Sequence, residues 1–233
     1  GETYDLEGEK DLSLQRFSAL LMEQGVNVLS LKRGTLDDET LEDVDVLILS
    51  YPQVDLDIGE AEAIRRYVAN GGGLLVLGGQ LPREYVNPLL GQFEMEMGYD
   101  LFQRDGSLDV LLLGGTHEVF AFVEEFGYYH APAVRVADPS WMVYQSPMFG
   151  ENWALFASRE YGAGRVFVSG DADFLNNFFL DAHDNAQLGY NMVLYTGGRP
   201  LVKLERRDHF NWAMILLLLA ALVLLVFFKN VWM

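Results

Sequence analysis

The chain has 233 residues and 50% hydrophobic content, with 16 basic against 34 acidic side chains and a net charge of −18. Half-apolar composition excludes a disordered chain, and an acidic field repels phosphate backbones, so no nucleic-acid partner is expected. The absence of cysteine removes disulfides, thiolate metal sites and cysteine nucleophiles together.

In chain order, Leu14, Phe17, Leu20 and Leu21 recur at helical spacing, and Gly25 is placed to end that helix. VNVLSL (26–31) reads as a β-branched strand, and the polar, acidic loop 33–43 leads to a second apolar strand, VDVLILSY (44–51). Ile58, Ala61, Ile64 and Val68 mark one face of a helix stopped by Asn70-Gly71-Gly72-Gly73, and LLVLGG (74–79) is a third strand. Near-continuous apolar strands separated by single helices predict a parallel sheet covered on both faces. A short helix is expected over 85–93, a strand over 108–114, and short strands and loops over 116–146. WALFASRE and RVFVSGD flank Tyr161-Gly162-Ala163-Gly164 as a hairpin, and Ala186, Tyr190, Val193 and Leu194 line a last helix ending at Gly197-Gly198.

Charge divides the chain. Residues 1–198 carry 11 basic and 32 acidic side chains, a balance of −21, whereas residues 199–233 carry 5 and 2, a balance of +3. Within the second part, Trp212 to Phe228 (WAMILLLLAALVLLVFF) is 17 residues without a polar side chain. At 1.5 Å per residue it covers about 26 Å, close to the hydrocarbon thickness of a bilayer. The expected anchor is a transmembrane helix over 210–229. Trp212, Phe228 and Trp232 lie near its ends, Lys229 is placed to snorkel, and Arg206 and Arg207 to meet headgroups. The domain division expected is 1–198, a juxtamembrane segment 199–209, the span 210–229 and a tail 230–233. Gly1 in place of Met leads to the expectation of a processed or truncated chain whose upstream signal or span is not seen. Arg199, Lys203, Arg206 and Arg207 before the span, against Lys229 after it, favour a cytoplasmic domain, an orientation that an upstream signal would override.

Chemistry-bearing patterns are few. Gly71–Gly73 precede a strand, so they are not a phosphate loop, and Gly78-Gly79 lack the spacing of one. Asp171 and Asp173 follow an apolar strand and open the next helix, the place where open α/β sheets bind ligands; with Asp181 they form a candidate hard-cation or ligand site. Capping and turn chemistry, for which Asp and Asn are the ordinary residues at such a junction, is the preferred reading of the same residues. His117, His130, His183 and His209 show no ligand spacing and no nucleophile elbow. The aromatic-rich stretch 119–156 reads as core, with an exposed partner-binding or carbohydrate-binding patch as the alternative.

The runs DVDVLILSYPQVDLDIGEAEAIRRYVANGGGLLVLGG and YGAGRVFVSGDADFLNN resemble the class I glutamine-amidotransferase-like superfamily, and within it the membrane proteins encoded beside MoxR-type AAA ATPases. More distantly, Arg165 to Phe174 is similar to the non-catalytic oligosaccharyltransferase subunit carrying the same domain. The resemblance implies a flavodoxin-like α/β domain outside the cytoplasm. Gly78, Gly79 and Gln80 stand where the amidotransferase cysteine would, which implies a non-catalytic module without cofactor. The expected role is a membrane-anchored scaffold or recognition subunit whose partners are other membrane protein subunits and the bilayer. The alternatives are an accessory subunit of an oligosaccharyltransferase-like or transport complex, and a metal-dependent hydrolase using Asp171 and Asp173.

Overall fold

The structure, a computed structural model, describes residues 13–31, 34–50, 56–79, 83–101, 109–129, 131–145 and 150–204. By contacts the chain divides into two units, 1–203 and 204–233; the account below concerns the first. Its elements in order are α1 (Gln15–Glu23), α2 (Asp38–Leu41), β1 (Val46–Ser50), α3 (Ile58–Ala69), β2 (Gly73–Leu77), α4 (Asn87–Gly91), β3 (Met95–Leu101), β4 (Asp109–Leu113), β5 (Glu125–Tyr129), β6 (Pro132–Val136), β7 (Met142–Gln145), β8 (Trp153–Tyr161), β9 (Gly164–Ser169) and α5 (Asn185–Thr196), with short 3₁₀ turns between.

Seven strands form one sheet in the order β1-β2-β9-β8-β6-β3, with β7 also paired to β8. β1, β2 and β9 are parallel, and β8, β6 and β3 continue the sheet antiparallel. β4 and β5 make a separate two-stranded sheet. The domain is therefore mixed α/β, and the expected parallel sheet is corrected to three parallel strands joined to an antiparallel remainder. The cause is local. The two-residue connection Gly162-Ala163 returns β8 directly into β9 as a hairpin, whereas a parallel partner would need a crossover of a dozen residues or more.

Residues alternate across the sheet. Leu74, Val76, Val166 and Val168 pack with Ile64 and Val68 of α3 on one face. Phe167 lies on the opposite face, its ring 5.9 Å from Tyr195 of α5. The two helices thus cover opposite faces of the parallel strands. α3 begins with a capping box, in which Asp57 Oδ1 accepts from Glu60 N and Glu60 Oε2 accepts from Asp57 N, satisfying two of the amides a helix start leaves open. On the α5 side the core is aromatic: Phe120, Phe126, Tyr128, Phe156, Phe167 and Phe174 are all buried, and the Phe126 and Phe156 ring centres are 5.4 Å apart.

The expected strand 26–31 does not form. Residues 26–31 have no strand pairing, and Leu29 is 80% exposed. Its β-branched composition favours a pleated, half-buried surface, but that preference is realised only when a neighbouring strand supplies hydrogen bonds. Among the described residues no helix is long and apolar enough to cross a membrane. The expected span 210–229 lies outside the described residues.

Candidate functional site

Buried polar groups gather at the carboxyl end of β9, among them Ser169 and Asp171. β9 ends at Ser169, and the chain turns at Gly170 under the β5–β6 connection. A Cβ on Gly170 would lie 1.7 Å from the Pro132 carbonyl oxygen, so only glycine permits this approach. The next side chain, Asp171, is fully buried. Its Oδ2 accepts from the Tyr129 amide at 2.6 Å and its Oδ1 from the Asp173 amide at 2.7 Å. Ser169 Oγ donates to the Asp171 carbonyl at 2.6 Å and accepts from the Asp171 amide at 3.1 Å. Tyr128 OH donates to Pro132 O at 2.6 Å; burial, with the Asp171 charge adding to it, pushes that phenol well above its ordinary pKa of 10.0.

Such an arrangement uses a carboxylate to fix three chain segments. Charge-assisted bonds from backbone amides are the stronger class, and a buried charge is tolerable only when it is bonded in this way. The expected helix after Asp173 is a single 3₁₀ turn, 173–175, and α5 begins ten residues later. Asn176 takes over the local turn, its Oδ1 accepting from the amides of Phe178 and Phe179 at 3.0 and 2.9 Å.

The three candidate aspartates have separate employments. Asp171 is inside, Asp173 is half-buried, and Asp181 is exposed and paired with Arg16 of α1. Arg16 also donates to the Asn177 carbonyl at 2.8 Å, so Asp181 belongs to the contact between α1 and the loop before α5. His183, with its φ at +52°, places Nδ1 2.8 Å from Glu125 Oε1. Among the described residues no three His, Asp or Glu side chains are grouped to hold a metal ion. Arg206, Arg207, Trp212, Phe228, Lys229 and Trp232 lie outside the described residues.

Sequence reasoning missed the polar ties of α5. Asp184 Oδ2 accepts from the Glu124 amide at 2.8 Å, Asn185 Oδ1 from the Gly127 amide at 2.8 Å, and Asn191 Nδ2 donates to Val119 O and Ala121 O at 2.8 and 2.7 Å. Gln187 Nε2 donates to Asn191 Oδ1 at 2.9 Å and to Val202 O at 3.1 Å. The available signal was three amide side chains in an otherwise apolar helix, which reads as polar partners waiting inside. Also missed was an open groove of about 700 Å³ at the other end of the parallel strands, bordered by Asp38, Glu39, Glu42, Asp45, Arg66 and Tyr67. Two of its carboxylates are paired: Arg66 binds Asp38 at 2.9 Å and Arg199 pairs with Asp45. Tyr67 OH donates to Gly73 O at 3.1 Å, and burial pushes its pKa up to about 12.

A family described as a domain of unknown function, DUF4350, matches residues 15–193. The chain belongs to the DUF4350 family. No curated protein matches its sequence. In structure, this DUF4350 domain is similar to the mmIFT52 N-terminal domain, at 19% identity and a TM-score of 0.63, covering 81% of this chain and 92% of that one. It is similar also to a cytoplasmic protein from Salmonella typhimurium, at 17% identity and a TM-score of 0.55, covering 78% of this chain and 86% of that one. A ThuA-like protein from Parabacteroides merdae matches at 14% identity and a TM-score of 0.54, covering 86% of this chain and 90% of that one. At these identities the likeness is one of fold. The assignment to DUF4350 corrects the resemblance drawn from the sequence: the family that matches is DUF4350, and none of these matches is described as an amidotransferase or an oligosaccharyltransferase subunit. The motifs that carried it, a glycine-stopped helix before a strand and a hairpin ending in Gly-Asp-x-Asp, are requirements of the fold and so do not separate one family from another.

Proposed function

We propose that this DUF4350 chain is a non-catalytic, membrane-anchored recognition subunit of a membrane protein complex. The observation that carries the non-catalytic half is the engagement of Asp171: both carboxylate oxygens accept backbone amides, at 2.6 and 2.7 Å, inside a fully buried turn. A carboxylate so held organises the chain around it. The anchoring half rests on the sequence from Trp212 to Phe228. A domain of this size on such a stem has its outer surface and its span to offer to partners.

Purification of the full chain from its own membranes in mild detergent, with native mass spectrometry of the eluate, tests the reading. A second polypeptide at fixed stoichiometry is expected. A chain that runs alone in every mild detergent, or that hydrolyses a substrate with a divalent ion and loses this in Asp171→Asn, would sink it.

A further inference from the structure

We infer that the face formed by the β4–β5 connection and the exit segment after α5, carrying Leu113, Phe122 and Val202, rests on the bilayer surface. This rests on the anchored reading above.

The three side chains are 72%, 54% and 47% exposed, and bonds tie their segments to the same side of α5. Asn191 donates to the carbonyl of Ala121, beside Phe122, and Gln187 to Val202 O, with Gln187 bonded to Asn191 Oδ1 between them. Leu113 pairs with Glu125, and the following Gly114 amide donates to Glu124 O at 2.8 Å, closing the connection that holds Phe122. Phe122 has φ at +63°, a left-handed conformation that bulky side chains rarely adopt. The chain thus accepts backbone strain at the position where a large apolar ring faces solvent, although Phe120, two residues away, is buried. An outlier of this kind is a ground for asking what the exposed ring does.

The occupant follows from where the chain goes next. Val202 and Lys203 are the last residues of this unit, and the apolar run of the expected span begins by 210. The six residues 204–209 reach at most about 22 Å when fully extended, so the exit residues are tethered within that length of the start of the expected span. An aromatic ring and two aliphatic side chains suit the interfacial zone, where Phe and Leu insert while flanking charges stay wet. Glu118 and Glu124 are exposed in the same connection, so apolar insertion and not attraction to anionic lipid drives the contact.

The absence of native cysteine makes the test clean. Leu113→Cys, Phe122→Cys and Val202→Cys, each carrying a nitroxide, are compared in the full chain in phosphatidylcholine nanodiscs with Leu29→Cys and Ile58→Cys, which are 80% and 81% exposed elsewhere. Collision with lipid-soluble oxygen should be several-fold higher at the first three, and collision with a water-soluble nickel chelate several-fold lower. Accessibilities equal to those at 29 and 58 in a chain that has incorporated overturn this inference and leave the anchored reading standing. Low collision with both reagents, the mark of a protein cover, also overturns it. Failure of the chain to incorporate at all removes the anchored reading and this inference with it.

Discussion

Asp171 and His117 show how single side chains are set by what surrounds them. Truncating Asp171 leaves the Tyr129 and Asp173 amides without their acceptor in a dry turn. Asp171→Ala is expected to lower the unfolding free energy by about 3 kcal/mol, on the usual penalty of 1–3 kcal/mol for each buried group left unpaired. Urea titration of the full chain in detergent measures it, and a near-neutral result would return Asp171 to the list of candidate ligand groups. His117 caps the 3₁₀ turn 118–120, its Nδ1 accepting from the Val119 amide at 3.2 Å, and its ring meets Tyr195 edge-on at 5.0 Å. Burial, with Arg165 nearby adding to it and Glu118 opposing, holds its pKa below the ordinary 6.5. The folded chain therefore binds fewer protons than the unfolded chain between the lowered value and 6.5. The stability tied to neutral His117 is present above 6.5 and lost as pH falls through that window. His117→Asn, which keeps an acceptor at the cap, is expected to lose less stability between pH 7.5 and 5.5 than the native chain does. Equal losses in the two would contradict this.

Among the elements, β9 and β6 meet closely at Gly170. Gly170→Ala places a methyl group 1.7 Å from Pro132 O, and backbone cannot move aside as a side chain would. A loss of about 3 kcal/mol is expected, at the upper end for overpacking, read as a fall in the thermal midpoint; an unchanged midpoint would mean the turn is looser than described. Of the strands here, β9 and its neighbour β2 were legible in the sequence, because their apolar residues are buried on both faces, whereas β6 lies in the stretch 116–146 read only as short strands and loops. VNVLSL was misread for a related reason. Composition records a preference for strand, whereas pairing depends on a partner far away in sequence, and none is present among the described residues. The Asp171 site was legible in position, since an acidic residue after an apolar strand is visible in the sequence. Its role was not, because the Tyr129 amide that claims its carboxylate lies 42 residues away. The aromatic stretch was read correctly as mostly core, and Phe122 could not be told from Phe120 or Phe126 because exposure here is decided by one left-handed backbone position.

At the scale of the whole molecule, the net charge of −18 resolves into an acidic domain and a basic, apolar stem. A −21 balance over residues 1–198 repels anionic surfaces, and on the proposed anchoring Arg206 and Arg207 would suit the headgroup plane. The mixed sheet has α3 and α5 on opposite faces of its parallel part, and its polar centre is occupied in joining β5, β9 and the turn at 173–175. Under the proposed function, recognition belongs to the outer surface of the domain and attachment to residues 210–229. The most direct measurement is alkaline carbonate extraction of membranes carrying the full chain, beside the same chain ended after Lys203. The account predicts that the full chain stays with the membrane pellet and that the shortened chain is released. Release of the full chain into the supernatant would contradict it.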